Sequence, residues 1–350
     1  MTFHESRAFI ANLPKAELHL HVEGTLSPET VLLLAARNNV TLPFATVEDI
    51  EEALAARPTD LQGFLDHHYL VTAVIQTPED LYDITYELLR ECRANNIVYA
   101  ELFFDPQSHA NRGIPFDDVI SAIDQGRREG AAEFGVETGL IMCINRELSV
   151  DSALEMLDSA HPHRDLILGL GMDSYEKGNP PRKFAEVYAR ARAEGYRLTA
   201  HCDVDQTNAV SNIWECLDLL KVERIDHGVN AIEDPKLVEE LKQRGIGLTT
   251  CPIRLDASRE LEDTDRIRKL RDLGVLVTLN TDDPSEFASG YLSNLLAEVQ
   301  EASSYSNGDL VRFMANAFEV SWLPSHSKAT YIESLLDYAE AHNVTMSPRP

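Results

Sequence analysis

Eight times along its length this chain passes from a strand-like run, rich in β-branched and aromatic residues, to a run with helical apolar spacing. The first strand-like run ends at Leu18-His19-Leu20-His21; the others cover 97–105, 136–144, 166–173, 197–203, 224–228, 247–252 and 275–283. Helix-like runs at 116–134, 150–159, 182–194, 211–220, 235–244 and 263–273 separate the later ones. A strand that is always followed by a helix must cross over before the next strand, so neighbouring strands pair in parallel. Eight such units predict an α/β chain closed into a (β/α)8 barrel rather than an open sheet. No Pro/Gly/Ser-rich linker or low-complexity run divides the 350 residues, so residues 1–350 are expected to form one domain. Two additions are expected. Residues 46–75 read as a largely helical insertion with Phe64, Leu65, Tyr69 and Leu70 as its buried stripe, either a lid over a site or a packing element. A helical tail, roughly 303–342, is expected to wrap the outside.

The barrel gives the polar residues an order. In a strand, side chains two apart share a face, so His19 and His21 project together while Leu18, Leu20 and Val22 face an apolar layer. Such a pair could ligate a metal through nitrogen, or could hydrogen-bond each other or water. In barrels of this kind the active site lies at the C-terminal strand ends. His19 and His21 end strand one, His201 ends strand five, His227 ends strand six, and Asp282 with Asp283 ends strand eight. Distant residues therefore converge on one rim.

Composition narrows the partners. A formal net charge of −27 argues against a nucleic-acid surface or an anionic membrane, both of which need clustered Lys and Arg. No segment is long and apolar enough to span a bilayer, and residues 1–15 carry no apolar export signal. The five cysteines are scattered and odd in number, as expected of free thiols in a reducing compartment. A cytoplasmic protein acting on a small molecule is expected; whether copies associate into a homo-oligomer is left open.

Three stretches carry a resemblance: Leu13-Pro14-Lys15-Ala16-Glu17-Leu18-His19-Leu20-His21-Val22-Glu23-Gly24-Thr25, Arg224-Ile225-Asp226-His227-Gly228, and Asn280-Thr281-Asp282-Asp283-Pro284. Together they resemble the adenosine/adenine deaminase family of the amidohydrolase superfamily. Phe104-Asp105-Pro106-Gln107-Ser108-His109 and Gly171-Met172-Asp173-Ser174 resemble the adenine deaminase branch more narrowly. The resemblance implies a metal-dependent aminohydrolase of purine metabolism, acting on the C–N bond of a cyclic amidine. Carried over residue by residue, it implies one Zn2+ per chain, held by His19, His21, His201 and Asp282. His227 would orient the attacking oxygen and stabilise charge. Asp283 would accept a hydrogen bond from the substrate ring or its departing amine. Gly171, Ser174 and Glu176 would lie on the substrate, with Glu176 standing where the adenine branch binds a free base. Strand four ends in Met172-Asp173 rather than a bridging Lys, so one metal is expected instead of two.

Two departures affect the substrate. The family reads His-Ala-Gly-Glu after strand five, and that Glu protonates the ring; here the chain reads His201-Cys202-Asp203-Val204-Asp205. Asp203 shares the face of His201 if the strand persists, and Asp205 is the alternative acid if the chain turns. After Cys251-Pro252 the family's Ser-Asn pair is replaced by Ile253-Arg254. Arg254 either binds an anionic or carbonyl-rich substrate group or pairs with Asp256, Glu260 or Glu262. The preferred reading is hydrolytic deamination of a free amino-purine or related amino-heterocycle. The rivals are cleavage of another C–N bond or an N-substituted amine, and a catalytically silent purine binder.

Overall fold

The structure is a computed structural model, and it describes residues 3–202, 204, 207–254 and 260–349. Among the described residues nine parallel strand segments form the wall: β1 (Lys15–His21), β2 (Ile97–Phe104), β3 (Glu137–Asn145), β4 (Gly169–Asp173), β5 (Arg197–Leu198), β6 (His201–Cys202), β7 (Arg224–His227), β8 (Gly247–Thr250) and β9 (Leu276–Leu279). β1 to β5 pair in sequence order, as do β6 to β9. β5 and β6 are the two halves of the fifth predicted strand. Between them the Thr199 N–H donates to Leu170 O (3.0 Å), and Ala200 O accepts from Asp226 N (3.0 Å), so the strand bonds first to β4 and then to β7. At the other edge His21 N donates to Asp282 O (3.0 Å) and Asp282 N to His19 O (3.1 Å). These bonds join the end of the wall back to β1. The predicted (β/α)8 arrangement is the one observed.

All seven residues of β1 are buried, as a parallel strand covered on both faces requires. Strand four is shorter than predicted because His161–Leu166 coils into a tight 3-10 segment before Gly169. The eighth predicted strand ends at Leu279, and residues 280–283 turn inward, Asp282 in the left-handed region at φ 62°. The insertion is largely helical, as expected, and consists of two helices, Val47–Ala56 and Leu61–Thr72. Pro58 lies between them, and Asp60 caps the second by accepting from Gly63 N (2.9 Å). The buried stripe of that second helix also differs from the expectation. Leu65, His67, His68, Val71 and Thr72 are buried, whereas Phe64 and Tyr69 are half-buried and face a cavity. The insertion thus caps the C-terminal rim.

The C-terminal helices correct a further expectation. Asn307–Val320 does not wrap the exterior: Leu310, Val311, Phe313, Met314 and Phe318 are buried, and Asn316 Nδ2 donates to Val277 O of β9 (3.0 Å). It is the eighth covering helix of the barrel. Ser325–Ala341 lies outside it with Leu335 and Ala339 as its buried residues.

The opposite end of the barrel is closed by charge and an aromatic plug. Arg224 and Glu101 are both fully buried and paired at 2.5 Å, and the guanidinium lies 4.3 Å from the Trp322 ring centroid. Glu101 Oε1 also accepts from Tyr99 Oη (2.9 Å) and Trp322 N (2.6 Å). Gly169 is needed here, since a Cβ on it would stand 2.4 Å from the indole. A buried cation stripped of its partner costs far more than the intact pair contributes. Glu101→Ala is therefore expected to lower unfolding free energy by about 3–5 kcal/mol, read from urea denaturation midpoints. A loss under about 1 kcal/mol, the range of surface pairs, would show that Arg224 finds another partner.

Candidate metal and substrate site

The histidines of β1 do share a face. Nε2 of His201 stands 2.9 Å from Nε2 of His19 and 3.1 Å from Nε2 of His21. Asp282 Oδ1 lies 3.1 Å from the first of these β1 nitrogens and 3.3 Å from the second. The four ligand atoms come from β1, β6 and the turn after β9. A tetrahedron with metal–nitrogen bonds of about 2.0–2.1 Å has an edge of about 3.3 Å, so the cluster is close to that size.

The other ring nitrogens give a second reason to read these as metal ligands. His19 Nδ1 is 3.1 Å from the Thr249 carbonyl, to which it donates. His201 Nδ1 faces Asp226 Oδ2 at 3.4 Å, and His21 Nδ1 faces Asp173 Oδ2 at 3.9 Å. For His19 and His201 an acceptor behind the ring holds the proton on Nδ1 and turns Nε2 to the cluster, the support that ligating imidazoles receive, whereas Asp173 stands beyond hydrogen-bond reach of His21. Asp226 is itself oriented by Thr249 Oγ1 (2.8 Å). Burial and the neighbouring His19 push His201 down to about 3, so it is neutral at ordinary pH. The residues fit a divalent ion with mixed nitrogen and oxygen preference.

A cavity of about 680 Å³ opens over this cluster. His227 and Asp283 line it, with Ser174, Glu176, Asp105 and Phe287. His227 Nε2 is 3.9 Å from Asp282 Oδ2, and burial pushes its imidazole down to about 4. His227, Asp282 and Ser174 all hold positive φ (64°, 62° and 70°), an uncommon backbone for non-glycine residues that clusters at functional sites. Burial and the adjacent Asp282 push the Asp283 carboxyl well above the usual carboxylate range. Gly24 lets Asp283 approach, because a Cβ there would stand 1.8 Å from its Oδ1. Glu176 is buried, 3.7 Å from Arg146 Nη1, and accepts from Val204 N (3.3 Å).

Other expected site residues are placed differently. Gly171 is not among the lining residues; it lies lower in the barrel, where a Cβ would press on Cys143 Sγ (2.9 Å) and Phe103 (3.0 Å). Phe103 in turn stacks on His21 (centroids 5.0 Å apart), so Gly171 shapes the floor beneath a ligand. Arg254 is not brought to the cavity: its Nε lies 3.4 Å from Glu298, a partner outside the three candidates expected from sequence. Its neighbour Asp256 and both candidate acids, Asp203 and Asp205, lie outside the described residues.

Sequence reasoning missed the cap side of the site. His68, on the second inserted helix, donates from Nδ1 to Glu286 Oε1 (2.6 Å), and Phe64 and Tyr69 line the cavity beside it. The adjacent pair His67-His68 inside an otherwise ordinary amphipathic helix was the available signal. Asp105 was also missed as a site group. It directly follows β2 at the same rim as the ligands, and burial with the Asp173 charge raises its carboxyl well above the usual range.

A family model described as adenosine deaminase matches residues 14–338. The chain belongs to the adenosine deaminase family. An adenine deaminase from Chlorobium luteolum is 44% identical over 334 residues, covering 95% of this chain and 96% of its own. The crystal structure of an adenine deaminase from Arthrobacter aurescens matches with a TM-score of 0.86 at 34% identity, covering 94% of this chain and 99% of that one. An amidohydrolase from Burkholderia ambifaria, solved with bound zinc, matches with a TM-score of 0.84 at 29% identity, covering 97% and 95%. Within this deaminase-family barrel, Asp226 supports His201 from behind and does not itself reach the ligand cluster. Asp226→Asn is expected to weaken metal affinity about 10–100-fold while leaving one ion per chain at saturation, measured by competition with a chelator. Unchanged affinity would remove Asp226 from the support of the site.

Proposed function

We propose that this chain is a hydrolytic deaminase of adenine-like bases, releasing ammonia from a cyclic amidine. The observation that carries the reading is the convergence of His19, His21, His201 and Asp282 under a cavity that also presents His227 and Asp283. We assign one zinc ion to those four residues. Bound there, zinc supplies a Lewis acid that lowers the pKa of water towards 7. The remaining chemistry falls to the protein. Water adds its oxygen to the amidine carbon, the C–NH2 bond breaks, and the amine leaves as ammonia once it has gained a proton. His227, neutral and pinned by its backbone, orients the attacking oxygen. Asp283 holds the ring or the departing amine. Ser174 and Glu176 hold the far side of the base, on a floor shaped by Gly171. Asp203 is assigned as the acid that protonates the ring, with Asp205 as the alternative. We read the chain as one barrel domain of the cytoplasm acting on a small heterocycle, with no nucleic-acid or membrane partner. Among the described residues, no helix is long and apolar enough to cross a membrane.

A second reading has its own support: a cavity of about 680 Å³ lies in the range that holds drug-sized ligands, so an N-substituted amine would fit as well as a free base. A silent binder is disfavoured, because the four ligand residues and His227 together make a water-activating set that binding alone does not need. The test is metal analysis with ammonia release from a panel of amino-purines, N-substituted amino-purines and amino-pyrimidines. One zinc per chain and release from adenine, lost on stripping and regained with zinc, are expected. Full activity of stripped protein would overturn the reading. On the best substrate, Asp203→Asn is expected to lower kcat about 10²–10⁴-fold with metal content unchanged. If Asp205→Asn causes that loss and Asp203→Asn does not, the acid is Asp205.

A further inference from the structure

Arg146 is the first residue after β3 and is fully buried, yet it is not among the residues that line the cavity. Its side chain stands behind three that do, Glu176, His201 and Val204. Nη1 donates to the His201 carbonyl (2.9 Å) and lies 3.7 Å from Glu176 Oε1, with the Arg146 and Glu176 side chains 0% and 1% exposed. Nε donates to the Asn179 carbonyl (3.0 Å). Glu176 Oε1 in turn accepts from Val204 N (3.3 Å). One guanidinium thus holds the carbonyl that begins the span 201–204 directly, and the amide that ends it through Glu176. Its planar fork makes this possible, because its nitrogens present donors in several fixed directions at once.

The backbone around this cation is tied down independently. Arg146 N donates to Asp173 O (3.3 Å), and Asn179 N donates to Glu176 O (2.9 Å). Lys183 Nζ donates both to Arg146 O (2.7 Å) and to Asn179 Oδ1 (2.8 Å). These bonds already join the segments that follow β3 and β4, so that task does not need the guanidinium. Among the described residues, Glu176 is the one carboxylate within ion-pair range of Arg146. What the buried charge adds is a fixed orientation for a carboxylate at the cavity wall. The His201 ring has separate support, from Asp226 behind Nδ1 and from the pairing of β6 with β7. Asp203 and Asp205 are the sequence neighbours of Val204, so whichever is the acid is attached to the backbone that Glu176 holds.

We propose that Arg146 is a positioning residue for the reaction: acting through Glu176 and the backbone of residues 201 and 204, it holds the wall of the cavity that bears on the substrate ring, and it does so without supporting the metal. Misplacement of a reacting group by an ångström costs rate even when the altered residue never touches substrate. Arg146 therefore governs turnover, whereas Asp226 governs the metal, although both stand behind the same strand end. The inference rests on the deaminase reading and adds to it a residue outside the cavity.

The experiment uses the full-length zinc-loaded chain and the amino-purine it turns over best. Arg146→Met, which keeps the length but removes the charge and the donors, is expected to lower kcat about 10–10²-fold, with zinc affinity unchanged in chelator competition. Arg146→Lys keeps a charge beside Glu176 but cannot span both carbonyls, and should recover part of the rate. In the double variant with Glu176→Gln the two losses should fall short of multiplying, since they share one contact. Hydrogen exchange resolved to single amides supplies a readout besides activity: the Val204 amide is expected to exchange faster in Arg146→Met while the amides of β8 keep their wild-type rates. Wild-type kcat in Arg146→Met overturns the assignment, as does a loss of zinc affinity that accounts for the lost rate, or full multiplication in the double variant. Faster exchange throughout the barrel overturns it too, because that is the mark of a purely structural role. If Arg146→Met does not fold, Arg146→Lys carries the same comparisons. Ammonia release from no base by wild type would count against the deaminase reading instead. Exchange then still decides Arg146: faster exchange at Val204 alone supports its hold on the wall, and an unchanged Val204 amide overturns it.

Discussion

Two backbone hydrogen bonds, from His21 N to Asp282 O and from Asp282 N to His19 O, close the barrel and assemble its chemistry in one step. They join the chain's eighth wall element to its first, so residues more than 260 positions apart in sequence become neighbours. Because the same bonds flank Asp282, its left-handed backbone turns the carboxylate in among the imidazoles instead of continuing the strand. Glu17 holds this turn from below, accepting from Thr281 N (2.8 Å) and Thr281 Oγ1 (2.5 Å). Burial pushes that carboxyl up to about 7. A site that depends on ring closure cannot be preorganised until the barrel is complete, so folding and metal affinity are linked.

The rest of the interior follows from placing charge where water cannot reach. At the closed end, Arg224 and Glu101 are fully buried and satisfy each other with help from Trp322. At the open end Asp283, Asp282 and Asp105 crowd around His21 and raise its pKa to about 9 against the pull of burial. Such crowding of like charge is costly without a cation. One end is therefore neutralised by the chain itself, and the other is built to receive positive charge. The His68–Glu286–Arg57 cluster brings a further positive element to that end from the cap.

The sequence made some of this legible and hid the rest for physical reasons. Alternating strand and helix periodicity, together with histidines two apart in β1, was enough to predict a barrel and a convergent rim. The convergence of these histidines with Asp282 was readable because strand ends at a barrel rim have a fixed place once the strands are counted; their ligand role came from the family resemblance. The place of the break at Pro58 in the insertion was not specified, since both halves keep an amphipathic pattern across it. Asn307–Val320 was taken for an external tail because its apolar side chains carry no sign of which surface they will cover. His68 and Arg254 exchanged expectations for a related reason. Arg254 had a conspicuous place in a motif but found Glu298, while His68 acquires its place only when the inserted helix folds over the rim.

The central claim is that one metal ion is held by three imidazole nitrogens and one carboxylate oxygen, with no sulfur. Cys251 makes that claim sharp, because its Sγ lies 3.5 Å from His19 Nδ1, and His19, His227 and Cys251 form a rival cluster. Zinc-edge X-ray absorption on the singly loaded protein distinguishes them directly. The account predicts a first shell of nitrogen and oxygen at about 2.0–2.1 Å. A sulfur scatterer at about 2.3 Å would contradict it.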